Sequence, residues 1–177
     1  MINNPVNSKL ANYLLRIYQL KDVIRYNCRC HLKDESVAEH SFYVALIALG
    51  ICDKFKLNDT TKSQCLIKAL LHDMPEMDLN DITHNVKERL NLRPMLKQYE
   101  DEYYGKYYPQ HYVLMAAGTE LINTIVEYAD ALSVYQFVLN EKRLGNNSGD
   151  IKEITTEAIK RIQNLYTKLK CLIGERK

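Results

Sequence analysis

The sequence has no tryptophan and few of the residues that interrupt helices. Among its 177 residues there are six glycines and four prolines. Glycine and proline are the residues that most disfavour a helix interior, so their scarcity leaves few breaks in the chain. No linker, internal repeat or low-complexity segment is present. We therefore expect one all-α domain spanning residues 1–177.

The sequence also lacks a block of basic charge and a long apolar run. Its 24 basic and 22 acidic residues are spread along the chain and leave a net charge of +2. A binding surface for a nucleic-acid polymer is therefore not indicated. The longest uncharged apolar stretch, residues 41–52, is too short to cross a bilayer, and no membrane partner is expected. A small anionic substrate remains compatible with this charge distribution.

Cysteine is present but not in the pattern of a disulfide framework. There are five cysteines, an odd number, and the first residues do not resemble a secretory signal. We expect reduced thiols and a cytoplasmic setting. Cys28, Cys30 and His31 resemble half of a zinc site, but no second cysteine pair follows, which favours unligated thiols.

Apolar spacing predicts a succession of helices and no strand. Ser36 and Glu39 stand three residues apart, the pattern of a capping box, and predict a helix start at Val37. Pro75 is expected to limit the helix that carries His72 and Asp73. The predicted helices cover residues 8–23, 37–55, 81–90, 94–107, 119–144 and 150–172. A further helix is expected to begin after a cap within residues 58–60 and to end just beyond His72 and Asp73.

Three polar features stand out within these apolar helices. Asp130 lies between two alanines in a segment that is apolar on nearly all sides. His72 and Asp73 end an apolar helix, and His40 lies inside another. Each has an ordinary explanation when taken alone, namely a salt bridge, a helix terminus or a core histidine.

Taken together, the three features predict a metal site. Two imidazoles and two carboxylates suit a divalent ion such as Mn, Co, Fe or Mg, with the remaining positions left for water and substrate. A structural zinc site would be closed and rich in thiolates. An ion of this kind activates water and polarises phosphate oxygen, so the set favours hydrolysis.

The sequence resembles the HD-domain phosphohydrolases, and within them the YfbR-type 5'-deoxynucleotidases. The resemblance rests on residues 35–42 (ESVAEHSF), on His72-Asp73 with Glu76 and Asp81, and on residues 128–132 (YADAL). It extends from about residue 10 to residue 147 and implies a compact helical bundle with one divalent metal ion, which is one of Co, Mn, Mg, Fe or Zn. The resemblance assigns the metal to His40, His72, Asp73 and Asp130.

The resemblance also implies roles for residues outside the metal set. Glu76 would position or activate the attacking water, and Asp81 would act in the active site and in substrate recognition. Arg25, fifteen residues before His40, matches a phosphate-binding arginine. Tyr26 occupies the position at which many members of the family have a tryptophan close to the sugar of the nucleotide. Lys87 matches a retained substrate-binding position, whereas Thr83-His84-Asn85 departs from the family pattern.

These residues predict a 5'-nucleotidase that releases phosphate from (deoxy)nucleoside 5'-monophosphates. The alternative within the same fold is a dNTP triphosphohydrolase, for which Lys87 and Lys97 are candidate cations. A nucleotide-binding module without turnover and a plain helical scaffold are the remaining alternatives. The family implies a homodimer.

Two further groups of residues allow more than one interpretation. His84 and His111 would be needed for a second metal, but a single-metal site is favoured. The tyrosines are expected to be core or dimer-contact residues rather than base-stacking ones; they are Tyr103, Tyr104, Tyr107 and Tyr108.

Overall fold

The computed structural model describes residues 8–174 and the side chains within that range, except those of residues 8–10, 12, 84 and 85. The described chain is helical and contains no strand, only one isolated bridge between Ile24 and Ser36. This confirms the predicted fold class. The helices are α1 Ser8–Gln19, α2 Val37–Lys54, α3 Asp59–Leu71, α4 Glu76–Leu79, α5 His84–Arg89, α6 Arg93–Tyr107, α7 Tyr112–Ala117, α8 Glu120–Arg143 and α9 Gly149–Leu172, with 3-10 turns at Leu20–Asp22 and Pro109–His111.

The main core lies between α2, α3 and α8, and α9 packs along α8. Small residues such as Ala48 on α2, Ala69 on α3 and Ala129 on α8 are fully buried at these contacts. Alanines allow helices to approach closely, so the polar side chains that α2, α3 and α8 carry can meet in one place.

The start of α2 is fixed by the predicted capping box. The Ser36 hydroxyl accepts a hydrogen bond from the Glu39 backbone N–H, and the Glu39 carboxylate accepts one from Ser36 N–H. These bonds satisfy backbone donors that a helix start would otherwise leave free. They also place His40 in the first turn of α2, at the end of the bundle where the candidate site lies.

Pro75 acts as predicted, at the junction of two helices. Helix α3 ends at Leu71, and Pro75 directly precedes α4. A proline lacks the N–H needed inside a helix but suits the start of one. The turn between α3 and α4 therefore holds His72 and Asp73 on one side of Pro75 and Glu76 on the other.

Two helix predictions were wrong in detail. The helix predicted over 81–90 begins only at His84, because Asn80 has a positive φ of 58° and Thr83 is extended. Asp81 thus lies in a loop. The short helix α7 was not predicted, since residues 112–117 are too few to show a helical period.

Most of the tyrosine cluster belongs to a second core. Tyr103, Tyr104 and Tyr108 are buried with Leu20 and Val23, which bears out the core interpretation for these three. The Tyr104 hydroxyl donates to the carbonyls of Leu71 and His72, both at 2.8 Å. Helix α6 is thereby tied to the chain that leads into the candidate site.

None of the described helices combines the length and apolar character needed to cross a membrane. All five cysteines are unpaired, with Cys52 and Cys65 buried and Cys28, Cys30 and Cys171 exposed.

Candidate metal centre and active-site cleft

Three of the four predicted ligands form a tight group. His40 comes from α2, and His72 and Asp73 follow α3. Their ligand atoms all lie within 4.8 Å of one another, and no other such group occurs within the described residues. Asp73 Oδ2 is 3.1 Å from His72 Nε2 and 3.6 Å from His40 Nε2.

Asp130 reaches this group from α8. Its Oδ1 lies 3.1 Å from His40 Nε2, and its Oδ2 lies 2.7 Å from Arg161 Nη1. The neighbouring Ala129 and Ala131 are fully buried. The Asp130 side chain retains 18% exposure because it faces a cleft. The salt bridge that offered an ordinary explanation for Asp130 is therefore present, together with the predicted approach to His40.

The donor set fits a divalent ion. The Nε2 atoms of His40 and His72 are buried and make no hydrogen bond, although carboxylate oxygens lie near both. A buried imidazole nitrogen without a partner is costly, and an ion among these atoms would satisfy both. Two imidazoles and two carboxylates are suitable ligands for several divalent metals.

The electrostatics of the group follow from its crowding. Burial by itself would lower the pKa of His72, but the carboxylates of Asp73 and Asp130 outweigh it and raise the pKa to about 9. Burial by itself would raise the pKa of Asp130, but His40 and Arg161 lower it well below its usual value. For His40, burial and the Arg25 charge lower the pKa.

Arg25 and Ser133 lie on the opposite side of the His40 ring. Arg25 Nη1 donates to Glu35 Oε2 at 2.9 Å and also lies against His40 Nδ1. Ser133 Oγ is 3.2 Å from the same Nδ1. Arg25 is almost fully buried, so it forms part of the cleft wall instead of the surface charge that its position alone would suggest.

Glu76 is the first residue of α4 and lies beside the ligand group. Its Oε2 is buried without a hydrogen-bond partner, and its Oε1 is 3.9 Å from Lys87 Nζ. Burial and the nearby carboxylates of Asp73 and Asp81 raise the pKa of Glu76 well above its usual value. A carboxyl group in such surroundings is suited to accept a proton.

Asp81 and Tyr26 are linked through the backbone. Tyr26 N–H donates to Asp81 Oδ2 at 2.8 Å, and Tyr26 has a positive φ of 57°. Such a conformation is costly for a bulky residue and is found where the surrounding contacts require it. The Tyr26 ring stacks on Phe137, with ring centroids 4.7 Å apart. Phe137 was not identified from sequence, since only the folded chain brings it to residue 26.

A cleft of about 900 Å³ connects these groups. The predicted residues that line it are Arg25, Tyr26, Asp73, Glu76, Asp81, Lys87 and Asp130. Helix α9 forms another part of its wall through Ile154, Ala158, Arg161 and Leu165. None of these α9 residues was identified from the sequence, because single apolar and basic residues on an amphipathic helix give no signal of a site.

The remaining sequence candidates lie elsewhere. Lys97 pairs with Asp101 at 2.9 Å and is not part of the cleft lining. His111, at the end of a 3-10 turn, joins no group of potential ligands in the described chain. The side chain of His84 lies outside the described residues.

Comparisons with known proteins identify the family to which the chain is similar. The family described as 5'-deoxynucleotidase YfbR-like matches residues 12–172. The chain is 27% identical over 184 residues to 4'-phosphooxetanocin A phosphatase from Priestia megaterium, covering 90% of this chain and 93% of that protein.

Two solved structures share the fold. PH0347 from Pyrococcus horikoshii OT3 has a TM-score of 0.75 and 24% identity, and the match covers 93% of this chain and 96% of that one. The HD phosphohydrolase DatZ of cyanophage S-2L, bound to dA and one catalytic Zn²⁺ ion, has a TM-score of 0.69 and 15% identity, covering 92% and 96%.

The expected helical architecture is thus confirmed, and the family match spans most of the chain. The ligand atoms of His40, His72 and Asp73 lie close enough together to hold a divalent metal ion. This chain belongs to the 5'-deoxynucleotidase YfbR-like family of HD-domain phosphohydrolases.

Proposed function

We propose that the protein is a 5'-nucleotidase that hydrolyses (deoxy)nucleoside 5'-monophosphates to a nucleoside and phosphate. The observation that carries the proposal is that Asp73, Asp130, Glu76 and Arg25 line one cleft, with His40 and His72 next to Asp73. The family match and the phosphatase relative support a nucleotide phosphate ester as the substrate class.

The proposed metal ligands are His40, His72, Asp73 and Asp130. A single divalent ion bound there, one of Co, Mn, Mg, Fe or Zn, would polarise a phosphoryl oxygen and acidify a water molecule. The protein's part is to hold the four donors in place. Ala131 lines the cleft beside Asp130, and its small side chain leaves the carboxylate accessible there.

Glu76 is the proposed general base. It aligns the attacking water and accepts its proton as the water oxygen bonds to phosphorus. The bond from phosphorus to the 5' oxygen breaks, and that oxygen takes the proton that Glu76 had accepted. The nucleoside then leaves with a 5' hydroxyl, the other product is hydrogen phosphate, and Glu76 is again a carboxylate. Lys87, whose ammonium lies 3.9 Å from Glu76, favours the charged carboxylate before the proton is taken.

Arg25 is the proposed phosphate-binding residue. Its hydrogen bond to Glu35 and its contact with His40 fix the guanidinium in the cleft wall, so little ordering is needed when an anion arrives. A guanidinium carries five N–H donors, and these are suited to the oxygens of a phosphoryl group as negative charge develops.

Tyr26 and Asp81 are the proposed nucleoside-binding residues. Asp81 Oδ2 is occupied by Tyr26 N–H, which leaves the other carboxylate oxygen for a sugar hydroxyl. The stack of Tyr26 on Phe137 fixes the position of the ring that would border the sugar. Discrimination between ribose and deoxyribose is expected to depend on this pair.

A dNTP triphosphohydrolase is the second candidate, and the size of the cleft favours it. The cationic side chains of Lys87 and Arg93 line this cleft. These cations would accommodate additional phosphates. A binding module without turnover is less favoured, because Glu76 is present and adjoins the ligand group.

A substrate panel distinguishes these candidates. The purified protein would be incubated with dNMPs, NMPs and dNTPs in Mn²⁺, Co²⁺, Mg²⁺ or Zn²⁺, and the phosphate products separated by ion exchange. Inorganic phosphate from monophosphates supports the proposal, and intact triphosphate from dNTPs supports the second candidate. Nucleotide binding without product under all four metals would contradict both. Asp73→Asn serves as the control for contaminating phosphatase.

A homodimer and a cytoplasmic setting are part of the proposal. Helix α2 presents Phe42, Tyr43 and Leu46 with about half of each side chain exposed, which is unusual for such a cluster. The unpaired cysteines are compatible with a reducing compartment. Light scattering during size-exclusion chromatography would test the dimer, and Leu46→Glu is expected to shift it toward monomer.

A further inference from the structure

Asp130 has a second partner that lies outside the proposed ligand set. Its Oδ2 accepts a hydrogen bond from Arg161 Nη1 at 2.7 Å, while its Oδ1 lies 3.1 Å from His40 Nε2. Asp130 is on α8 and Arg161 is on α9, so this contact crosses the interface between the two longest helices. The two carboxylate oxygens therefore have different partners.

The two imidazole ligands each have a polar contact on the ring nitrogen that faces away from the ligand group, and Asp130 has its contact with Arg161 on Oδ2. His72 Nδ1 hydrogen-bonds the Ala69 carbonyl at 2.7 Å, and His40 Nδ1 lies between Arg25 and Ser133. Asp130 stands between two alanines, whose side chains offer no hydrogen bond. Arg161 donates the hydrogen bond that Asp130 Oδ2 accepts, and such a bond restricts rotation of the carboxylate.

We propose that Arg161 is a positioning residue of the metal centre: it holds Asp130 Oδ2 so that Oδ1 points to the ion. Groups that hydrogen-bond metal ligands in this way fix the ligand's orientation and strengthen binding. The inference rests on the proposed function, because it assumes the four-ligand site. It assigns a specific role in that site to α9.

The contact between Arg161 and Asp130 has two opposing effects on metal binding, and their difference makes the inference testable. A guanidinium beside Asp130 also repels a divalent cation. If repulsion were the larger effect, removal of Arg161 would strengthen metal binding. If orientation is the larger effect, removal weakens it.

The test compares two neighbouring cations on α9. Arg161→Gln removes the contact with Asp130 and one charge, whereas Lys160→Gln removes one charge from the same cleft wall without that contact. Mn²⁺ would be titrated into each metal-stripped protein by calorimetry. We expect Arg161→Gln to bind Mn²⁺ about 10–100-fold more weakly than wild type. Lys160→Gln is expected to stay within about twofold, because a solvent-screened charge has little effect.

A spectroscopic measurement separates orientation from general destabilisation. Co²⁺ loaded into the site has visible absorption bands that depend on the arrangement of its ligands. These bands should change in Arg161→Gln and stay unchanged in Lys160→Gln. Arg161 is half exposed, so its replacement is not expected to disturb the core, and circular dichroism would verify the helical content.

The outcomes distinguish this inference from the proposed function. Wild-type or tighter Mn²⁺ affinity in Arg161→Gln, with binding abolished in Asp73→Asn, would overturn the positioning role and leave the metal site intact. Wild-type affinity in Asp73→Asn would overturn both. Weaker binding in Arg161→Gln but not in Lys160→Gln supports the inference.

Discussion

At the residue scale, Glu76 is the side chain whose replacement should lower turnover without weakening metal binding. It lies beside the ligand group with one buried oxygen lacking a partner, and its pKa is raised by burial and by nearby carboxylates. Glu76→Gln keeps the shape of the side chain but cannot accept a proton. We expect kcat to fall about 10²–10⁴-fold while Mn²⁺ affinity changes little.

The Glu76→Gln prediction is checked by steady-state kinetics beside a metal titration of the same variant. Glu120→Gln is the matched control. Glu120 is the first residue of α8 and forms an exposed ion pair with Lys168. A Glu76→Gln protein with wild-type kcat would remove Glu76 from the mechanism, whatever its metal content.

His72 predicts how metal binding depends on pH. Its pKa is about 9, because Asp73 and Asp130 outweigh the effect of burial. Below that value the metal-free imidazole is protonated, and an ion must displace this proton in order to bind Nε2. Apparent Mn²⁺ affinity should therefore rise with pH and level off as the pH approaches about 9. The rise should approach tenfold per pH unit between about pH 6.5 and 8.5.

Mn²⁺ would be titrated into the metal-free protein by calorimetry at several pH values. Repeating each titration in buffers of different ionisation enthalpy gives both the Mn²⁺ affinity and the number of protons released on binding. Release of close to one proton per ion near neutral pH agrees with the prediction. Affinity that stays constant across this range would show that His72 is already neutral before the ion binds.

Individual residues also show what sequence reasoning can and cannot find. His40, His72, Asp73 and Asp130 were identified because polar residues interrupt apolar helices, and because their order matches a family pattern. Arg161 and Phe137 were missed. Arg161 meets Asp130 only because α9 packs against α8, and Phe137 meets Tyr26 only because the loop that carries Tyr26 packs against α8. No spacing in the sequence records such contacts.

At the element scale, the loop that carries Arg25 and Tyr26 is held by α8. The Glu141 carboxylate is almost fully buried and accepts backbone hydrogen bonds from Leu32 at 2.7 Å and Lys33 at 3.0 Å. It also accepts one from Asn146 Nδ2 at 2.7 Å. This single side chain therefore anchors the far end of the loop that shapes the cleft.

Glu141→Gln should weaken that anchor. The amide replaces one acceptor oxygen with a donor, so one of the three donors loses its partner in a buried place. We expect a loss of about 1–3 kcal/mol in the free energy of unfolding. We also expect a raised KM with unchanged Mn²⁺ affinity. Urea unfolding and kinetics measure these quantities, and Glu120→Gln should change neither. Unchanged stability in Glu141→Gln would show that the loop is held by other contacts, such as Arg29 with Asp150.

Elements with strong local signals were predicted well. The capping box at Ser36 sets the start of α2 as expected. The start of α5 was wrong, because residues 81–83 have helical apolar spacing but follow Asn80 in a left-handed conformation. Tertiary contact of Asp81 with Tyr26 stabilises the loop there, and sequence periodicity does not report that contact.

At the scale of the whole molecule, the candidate site brings together residues from several helices of the bundle. Its proposed ligands come from α2, the turn after α3, and α8, and α9 reaches it through Arg161. An ion that binds the folded chain and not the unfolded one stabilises the fold by mass action. The effect should extend to global unfolding, because these helices form the main core.

Metal loading should therefore raise the melting temperature. At a free ion concentration about 100-fold above Kd, the stabilisation is about 2.7 kcal/mol. For a chain of this length that corresponds to a rise in Tm of about 5–10 °C. Differential scanning calorimetry with and without Mn²⁺ would measure it, with Asp73→Asn as the control. An equal rise in that variant would place the stabilising ion elsewhere.

The central claim is that one ion lies between His40, His72, Asp73 and Asp130. Anomalous diffraction from crystals grown with Co²⁺, recorded above and below the cobalt absorption edge, locates such an ion directly. The account predicts one strong peak within bonding distance of the two Nε2 atoms and of a carboxylate oxygen from each aspartate. A cobalt peak at any other place, with these four side chains left unliganded, would contradict it.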